Sequence, residues 1–410
     1  MTALYNLGIR IYYLFVLIAS LYNQKARYWI KGRKYWQIKM EEQISESDTI
    51  VWFHASSLGE FEQGRPIIEA YRKEFPDHKI LLTFFSPSGF DIRKDYKGAD
   101  YVFYLPLDTK KNAREFLRIA HPERVLFIKY EFWFQFLREI KRSRAELVLI
   151  SAIFRNNQIF FKNYGKWFRR MLSFFDHIFV QDGGSFNLLQ NIGIDEVTIA
   201  GDTRFDRVAQ IANESKEIAI AKRFSDGYFT YICGSTWEKD EDIICKYINQ
   251  STKGVRFIIA PHEISTSHIL MLRKKIDRRV ALYSEAESEA FDRVNVLIID
   301  NIGMLSSIYR YGDVAYIGGG FGVGIHNILE AAVFGMPVVF GPNFQKFREA
   351  VELVKDGGAF PIGSFNEFKE LCDNFRENAK SLKKAADATK AFVNMNMGAT
   401  EAIMNYLRKS

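Results

Sequence analysis

The apolar run Asp313-Val-Ala-Tyr-Ile317 gives way at once to Gly318-Gly-Gly-Phe-Gly-Val-Gly-Ile-His-Asn-Ile-Leu-Glu330. Strand, glycine loop and helix in that order are how an α/β chain builds an anion site, and the pattern predicts a helix over 329–334. The glycines let the backbone pass close to a ligand, and the N–H groups and dipole of the following helix favour a phosphate. Their placement narrows the ligand. Neither Gly318-x-Gly320-x-x-Val323 nor Gly322-x-Gly324-x-x-Asn327 completes a dinucleotide fingerprint, and no Gly-Lys-Ser/Thr follows, which speaks against a dehydrogenase and a P-loop NTPase. His326, Asn327 and Glu330 stand instead at the mouth of the helix. A carboxylate one turn in can accept both hydroxyls of a ribose, so the combination suits a nucleotide-sugar donor.

The chain has 410 residues, beyond the range over which one core usually grows, so two domains are expected. Apolar runs at 50–54, 79–84, 101–104, 124–128, 146–150, 177–181 and 196–200 alternate with polar, helix-patterned segments. This rhythm implies a parallel sheet. It recurs in the second half with runs at 228–233, 256–260, 294–299, 314–317 and 337–340, followed by helical stretches at 366–375 and 399–408. The expected division is a membrane-anchor and basic segment at 1–40, an acceptor domain at 41–207, a linker at 208–227 built on the helix-prone 208–223, and a donor domain at 228–410. Two such α/β domains would face each other across a cleft, with ligands beyond the carboxyl ends of their strands.

Charge is unevenly placed. The net charge is +7, yet residues 1–40 carry Arg10, Lys25, Arg27, Lys31, Arg33, Lys34 and Lys39 with no acid, and the rest of the chain is neutral. A local basic cluster gives no reason to invoke nucleic acid. It follows the apolar run at 11–22, and Tyr28, Trp29, Tyr35 and Trp36 are interleaved with the cations, which suits a headgroup region where the cations meet an anionic cytoplasmic leaflet. A spanning helix needs roughly 20 apolar residues, and this segment reaches that only by including Asn6 and Arg10. A single span and a monotopic anchor both remain open. A cleaved signal peptide fits poorly because most charges follow the apolar run. Cys233, Cys245 and Cys372 form no C-x-x-C pair, so neither a disulfide framework nor a zinc signature is expected.

The first-half counterpart of the glycine loop is Ile50-Val-Trp-Phe-His-Ala-Ser-Ser-Leu-Gly-Glu-Phe-Glu-Gln-Gly-Arg-Pro66. A strand ending near Ala55 and a tight loop through Ser56, Ser57 and Gly59 would set Glu60 at a helix start. A sugar transfer that deprotonates its acceptor hydroxyl needs one carboxylate in such a place. The plainer alternative is that Glu60 only complements the helix N-terminus. Ser56 and Ser57 lack a Gly-x-Ser-x-Gly elbow and are expected to cap the helix or to touch substrate. His54 reads as a satisfied structural histidine. Ser86-Pro-Ser88-Gly89 is a second strand-end turn, with Ser86 and Ser88 as acceptor contacts or as plain turn chemistry. Lys162, Arg169 and Arg170, among Phe160, Phe161, Trp167 and Phe168, could form a lipid-facing patch or a solvated helix face.

At these residues the chain resembles the 3-deoxy-D-manno-octulosonic acid (Kdo) transferases of lipopolysaccharide assembly, inverting glycosyltransferases of the two-Rossmann-domain GT-B architecture. His54-Ala-Ser-Ser-Leu-Gly-Glu60 looks like that family's His-Ala-x-Ser-x-Gly-Glu element, whose glutamate is the proposed base. Glu131 and Trp133 resemble its Glu-x-Glu-x-Trp-Pro segment, and Gly201-Asp-Thr-Arg-Phe-Asp206 its Gly-Asn-x-Lys-Phe-Asp element. Ser235-Thr236 matches Ser-Thr-His with Trp237 in place of histidine. Pro261-His262 falls on a donor-contacting Pro-Arg pair, and Ile302-Gly303-Met304 on Met-Gly-Glu. Gly318-Gly319 and His326-Asn327-Ile328-Leu329-Glu330 match Gly-Gly and His-Asn-x-x-Glu.

The resemblance implies CMP-Kdo as donor substrate, a lipid A precursor as acceptor, Glu60 as general base, and neither cofactor nor metal. Ser56, Ser57, Gly59, Ser86, Ser88 and Glu131 are the expected acceptor contacts. His262 for arginine and Met304 for glutamate remove charges from the donor site, leaving the helix start near His326 and a cation such as Arg204 to hold the phosphate. Another transferase of this architecture using a UDP-sugar, and a non-enzymatic membrane scaffold with a vestigial nucleotide site, are the rival readings.

Overall fold

The computed structural model describes residues 1–251, 254–287 and 290–409. The chain forms two compact units, one of Met1–Arg207 with Met397–Ser410 and one of Val208–Asn396.

The first unit is built on β1 (Ile50–Ala55), β2 (Lys79–Phe84), β3 (Tyr101–Tyr104), β4 (Arg124–Ile128), β5 (Glu146–Ala152), β6 (His177–Val180) and β7 (Val197–Ile199), in the order β3-β2-β1-β4-β5-β6-β7. The second carries β8 (Phe229–Thr236), β9 (Val255–Pro261), β10 (Val280–Leu282), β11 (Val296–Ile298), β12 (Val314–Ile317), β13 (Val338–Phe340) and β14 (Ala359–Pro361), in the order β10-β11-β9-β8-β12-β13-β14. Strand pairing is parallel in both sheets. Every residue of β1 is buried, and so is every residue of β9. Helices cover both faces of such a sheet, which is why its central strands read as unbroken apolar runs instead of alternating ones.

The sequence rhythm missed two strands, β10 and β14. Both lie at the edges of the second sheet and have three residues each. β14 ends in Pro361, which an edge strand tolerates. The expected helix at 208–223 is two helices, Thr203–Glu214 and Ala219–Ser225.

The expected donor domain at 228–410 is also corrected, because the chain after Asn396 returns to the first unit. The helix Ala399–Leu407 buries Ile403, Met404 and Leu407 in the same cluster as Phe61, Ile67 and Tyr71, each such side chain contributing about 1.5–3 kcal/mol. Its first turn is held by Asp206, which accepts the backbone N–H of Gly398 (2.7 Å) and Thr400 (2.6 Å). Gly398, at φ +107°, makes the turn that a residue with a Cβ would resist.

At the amino terminus, the helix Thr2–Ala19 has a mean hydropathy of 1.5 and two different sides. Tyr5 donates its hydroxyl to Asp108, Gln135 donates its amide to Asn6, and the Trp167 indole N–H reaches Thr2 at 3.4 Å. Leu4, Leu7, Ile11, Leu14, Phe15 and Ile18 stay exposed. Of the four aromatics expected at a headgroup region, only Tyr28 and Tyr35 are exposed. Trp29 and Trp36 are buried, Trp29 under the Arg33 guanidinium (3.8 Å) and Trp36 against Phe116 (6.0 Å). A large indole gains more from a packed contact than from a wet surface. Phe160 is likewise a core residue, and Phe161, Trp167 and Phe168 pack against the same cluster.

Candidate functional site

In the first unit the sheet order reverses between β1 and β4, and the residues beyond their carboxyl ends include most of those singled out there. Ser57, extended at φ −141°, caps the helix Leu58–Glu74. Its backbone N–H (2.9 Å) and its hydroxyl (3.3 Å) both donate to Oε2 of Glu60, a capping box. The plainer reading of Glu60 is therefore realised, but it uses one carboxylate oxygen; Oε1 carries neither bond. Burial raises the Glu60 carboxyl above its ordinary range and the charge of Glu131 raises it further, while His54, the Ser57 N–H and Lys129 draw it back. Burial together with a like charge is how a carboxylate becomes a better proton acceptor.

His54 is fully buried. Because a carboxylate only accepts, its Nε2 donates to Oε2 of Glu131 at 3.1 Å, and its Nδ1 meets the Thr83 hydroxyl at 2.8 Å. Trp52 donates to that hydroxyl (2.7 Å), and Trp133 donates to the same oxygen of Glu131. His54 is thus the satisfied histidine expected, and its role is to hold Glu131. Glu131, expected on the acceptor side, is itself buried, and its charge raises the Glu60 carboxyl.

Lys129 stands at φ +70° and Ser151 at φ +55°, both at the carboxyl ends of central strands. Non-glycine residues hold such a backbone only where their surroundings over-determine it, commonly around a site. Ser56 and Ser86 are neighbours, since the Ser86 N–H donates to the Ser56 carbonyl (2.7 Å). Ser86 caps the helix Pro87–Arg93 by accepting from the N–H of Ser88, the plain turn chemistry foreseen. Gly59 is exposed with open space around it.

In the second unit the order reverses between β8 and β12. Residues Ser235–Trp237, His262 and 318–330 converge there. The glycines prove to serve the protein first. A Cβ on Gly318 would lie 2.2 Å from the Ser235 carbonyl and one on Gly320 2.5 Å from Gly341 N, while Gly319 sits at φ +93°. The N–H groups of Gly318, Gly319, Gly322, Gly324 and His326 go to Gly234, Asp240, Gly319, Gly319 and Gly318. The expected helix at 329–334 is one turn, Leu329–Ala332, too short to sum a useful dipole. The phosphate cradle foreseen from a dipole is corrected accordingly.

Glu330 is pushed up by burial and accepts from the Asn327 amide at 3.1 Å. Asn327 also accepts the Leu329 N–H (3.1 Å), so it braces both the carboxylate and the turn. Ile328 and Leu329 are core residues, and Pro261 and Thr236 are buried. Thr236 donates its hydroxyl to Glu241 (3.1 Å). Ser235 takes φ +53°. Ile302 and Gly303 are exposed and Met304 half-buried, opening the one-turn helix Leu305–Ile308. His262 is exposed, its N–H bound to the Thr236 carbonyl (2.9 Å). Arg204 is paired with Asp202 (2.7 Å) in the first unit.

Two residues escaped the sequence reading. Asp240, fully buried, accepts from Trp237 N (3.0 Å), Gly319 N (2.8 Å) and the Tyr316 hydroxyl (2.7 Å), pinning the glycine loop to the helix Glu238–Gln250. Its signal was an acid three residues after an N-cap position. Arg33 lies over Trp29 and donates to the carbonyls of Phe85 (2.7 Å) and Leu105 (2.8 Å); burial pushes its guanidinium down to about 9. It ties the amino-terminal helices to the turn that carries Ser86, and nothing local in the sequence distinguished it from the other basic residues there.

A family model described as 3-deoxy-D-manno-octulosonic-acid transferase (kdotransferase) matches residues 30–207. A 3-deoxy-D-manno-octulosonic acid transferase of Chlamydia trachomatis is 27% identical over 377 residues, covering 87% of this chain and 86% of its own. One from Aquifex aeolicus is 25% identical over 339 residues, covering 80% and 86%. Among solved structures, UDP-GlcNAc 2-epimerase of Neisseria meningitidis bound to UDP-GlcNAc matches with a TM-score of 0.61 at 17% identity, covering 88% of this chain and 100% of that one. At that identity it shows the fold alone, the two Rossmann-like units of a GT-B protein. The two enzymes, by contrast, align over 87% and 80% of the chain, and what the chain is similar to along most of its length is the 3-deoxy-D-manno-octulosonic acid transferases, a family of glycosyltransferases.

Proposed function

We propose that this protein moves Kdo from CMP-Kdo to a lipid A precursor with inversion, Glu60 taking the proton of the attacking hydroxyl. The observation that carries this reading is the state of Glu60: one oxygen is fixed by its own helix cap, and the carboxyl is raised by burial and by Glu131. A fixed carboxylate of raised basicity is what a general base requires. The hydroxyl oxygen attacks the anomeric carbon, the bond to the CMP phosphate breaks, and the proton passes to Glu60. Glu330, braced by Asn327, holds the ribose hydroxyls. The groups around His262 and His326 meet the phosphate, where charge develops as CMP leaves. No residue in this scheme calls for a metal or cofactor.

The apolar outer side of Thr2–Ala19, with polar partners on its inner side, supports an in-plane anchor over a span. The cytoplasmic face of the inner membrane is the surface where its basic flank meets anionic lipid.

Incubating the protein with CMP-Kdo and a lipid A precursor and weighing the product tests the reading directly. A mass increase of one or more Kdo residues is the expected result. Absence of product, with transfer from a UDP-sugar in its place, would move the chain to the rival donor class. Leu7, Leu14 and Ile18 replaced together by glutamine should release the protein from vesicles of anionic phospholipid, and unchanged co-sedimentation would place the membrane contact elsewhere.

A further inference from the structure

Three aromatic rings meet in the second unit's site. Trp237 stacks on His262 (ring centroids 4.3 Å, 24°), and His262 on His326 (4.7 Å, 28°). The Trp237 indole Nε1 lies 3.0 Å from His326 Nε2. An indole N–H is a donor and never an acceptor, so His326 Nε2 must present its lone pair and the ring proton must sit on Nδ1. Protonating Nε2 would set two donors against each other. The backbone keeps the ring in place, since the His326 N–H is bound to the Gly318 carbonyl (3.1 Å) and the Trp237 N–H to Asp240 (3.0 Å).

We propose that Trp237 is a positioning residue for the donor site, holding His326 as its neutral Nδ1–H tautomer so that the imidazole meets the donor as a hydrogen-bond donor and not as a cation. This rests on the donor site assigned above. The charge-bearing groups that face His326 are His262, stacked on it, and Asp240, on the helix that Trp237 caps. Burial and His262 both lower its affinity for a second proton, and only Asp240 opposes them, in agreement with the tautomer the geometry requires. A histidine without the indole would titrate between about pH 5 and 8, and the donor affinity would then follow solution pH through this ring. With the indole in place His326 contributes the same hydrogen bond across that range.

The test is nitrogen NMR of the histidine rings in the full-length, ligand-free protein, with His326 assigned by its loss in His326→Gln. In the unmodified protein, His326 Nε2 should resonate as the unprotonated nitrogen across that pH range. Trp237→Phe keeps a ring over His262 and removes only the donor; its His326 should shift toward the Nε2–H form and begin to titrate. His262→Leu removes the stacking and keeps the indole, and should leave the tautomer unchanged. CMP titrated into the same proteins gives the functional arm. The affinity of Trp237→Phe relative to the unmodified protein should rise by about tenfold from high to low pH, the difference between a neutral and a charge-assisted hydrogen bond.

A His326 that keeps its Nδ1–H tautomer in Trp237→Phe, or loses it only in His262→Leu, overturns the proposal. So does a tautomer change with no change in the CMP affinity ratio, a result that leaves the assigned donor site standing. Failure of CMP to bind the unmodified protein at any pH would instead bring down the donor assignment, and with it the use proposed for the tautomer, while the ring nitrogens would still report whether the lock exists.

Discussion

The two sheets offer their sites at the same place and fill them with opposite chemistry. In each, the functional side chains gather where strand order reverses, beyond β1 and β4 in one unit and beyond β8 and β12 in the other. In the first, the candidate group is a carboxylate perturbed by burial and by a second carboxylate. In the second, the backbone is drawn tight by glycines, and stacked rings stand beside a braced glutamate. Topology decides where a ligand can sit; the side chains at that point decide whether the place binds or reacts. On the function proposed above, the buried carboxylate beside a like charge takes a proton, and the glutamate bonded to an amide holds hydroxyls.

That contrast breaks most readily at Glu60. Glu60→Gln keeps size and hydrogen-bonding capacity but cannot accept a proton, and turnover should fall about a hundredfold or more with KM for donor little changed. Near-normal turnover would leave the residue as a helix cap only. The Gln side chain can still receive the Ser57 N–H, so a lower melting temperature should not accompany the loss.

On the other side of the comparison, Glu330→Ala should cost affinity instead of chemistry. Losing a charge-assisted hydrogen bond to the ribose should weaken CMP by about one to two decades, and the preference for CMP over 2′-deoxy-CMP should vanish. Isothermal titration with both nucleotides reads this. A preserved preference would show that another group holds the ribose.

Gly318→Ala sharpens the claim that the glycines serve packing first. A Cβ 2.2 Å from the Ser235 carbonyl must push the loop from β8, and overpacking of this kind typically costs about 1–3 kcal/mol. Stability of the second unit should fall in denaturant unfolding even without nucleotide. Unchanged stability with lost CMP binding would return the glycine to its expected role of letting a ligand approach.

The smallest effect is expected at Glu131→Gln. The Glu131 charge raises the Glu60 carboxyl, so removing it lowers the pKa of the base. Activity that depends on deprotonated Glu60 is lost as pH falls through that pKa, and the acid limb of kcat/KM should therefore move to lower pH. A limb that moves upward, or not at all, would mean that Glu131 does not act on Glu60 through its charge.

Much of this was legible in the residues themselves. Long apolar runs such as Lys79–Phe84 and Val314–Ile317 emerge as strands with the bounds their composition suggests, because a strand buried on both faces has no polar position to blur it. Glu60, Asn327 and Glu330 stand where a strand-to-helix turn would put them, since turn chemistry is local. The short edge strands β10 and β14 were not read from the sequence. Trp29 and Trp36 were misassigned to a membrane surface because amphipathic composition does not say which neighbour covers an indole.

Local order along the chain, set by covalent spacing and side-chain chemistry, determined the alternation of strand and helix, the two glycine- and serine-marked turns, and the family they point to. Tertiary structure alone decided the rest, because each case depends on atoms far apart in sequence meeting in space. The closing helix returns to the first unit because Asp206 caps it and Phe61 and Tyr71 receive its apolar face. Glu60 is raised by a carboxylate from another strand end. Asp240 ties the glycine loop across from a different helix, and an indole 89 residues away along the chain sets which nitrogen of His326 carries the proton.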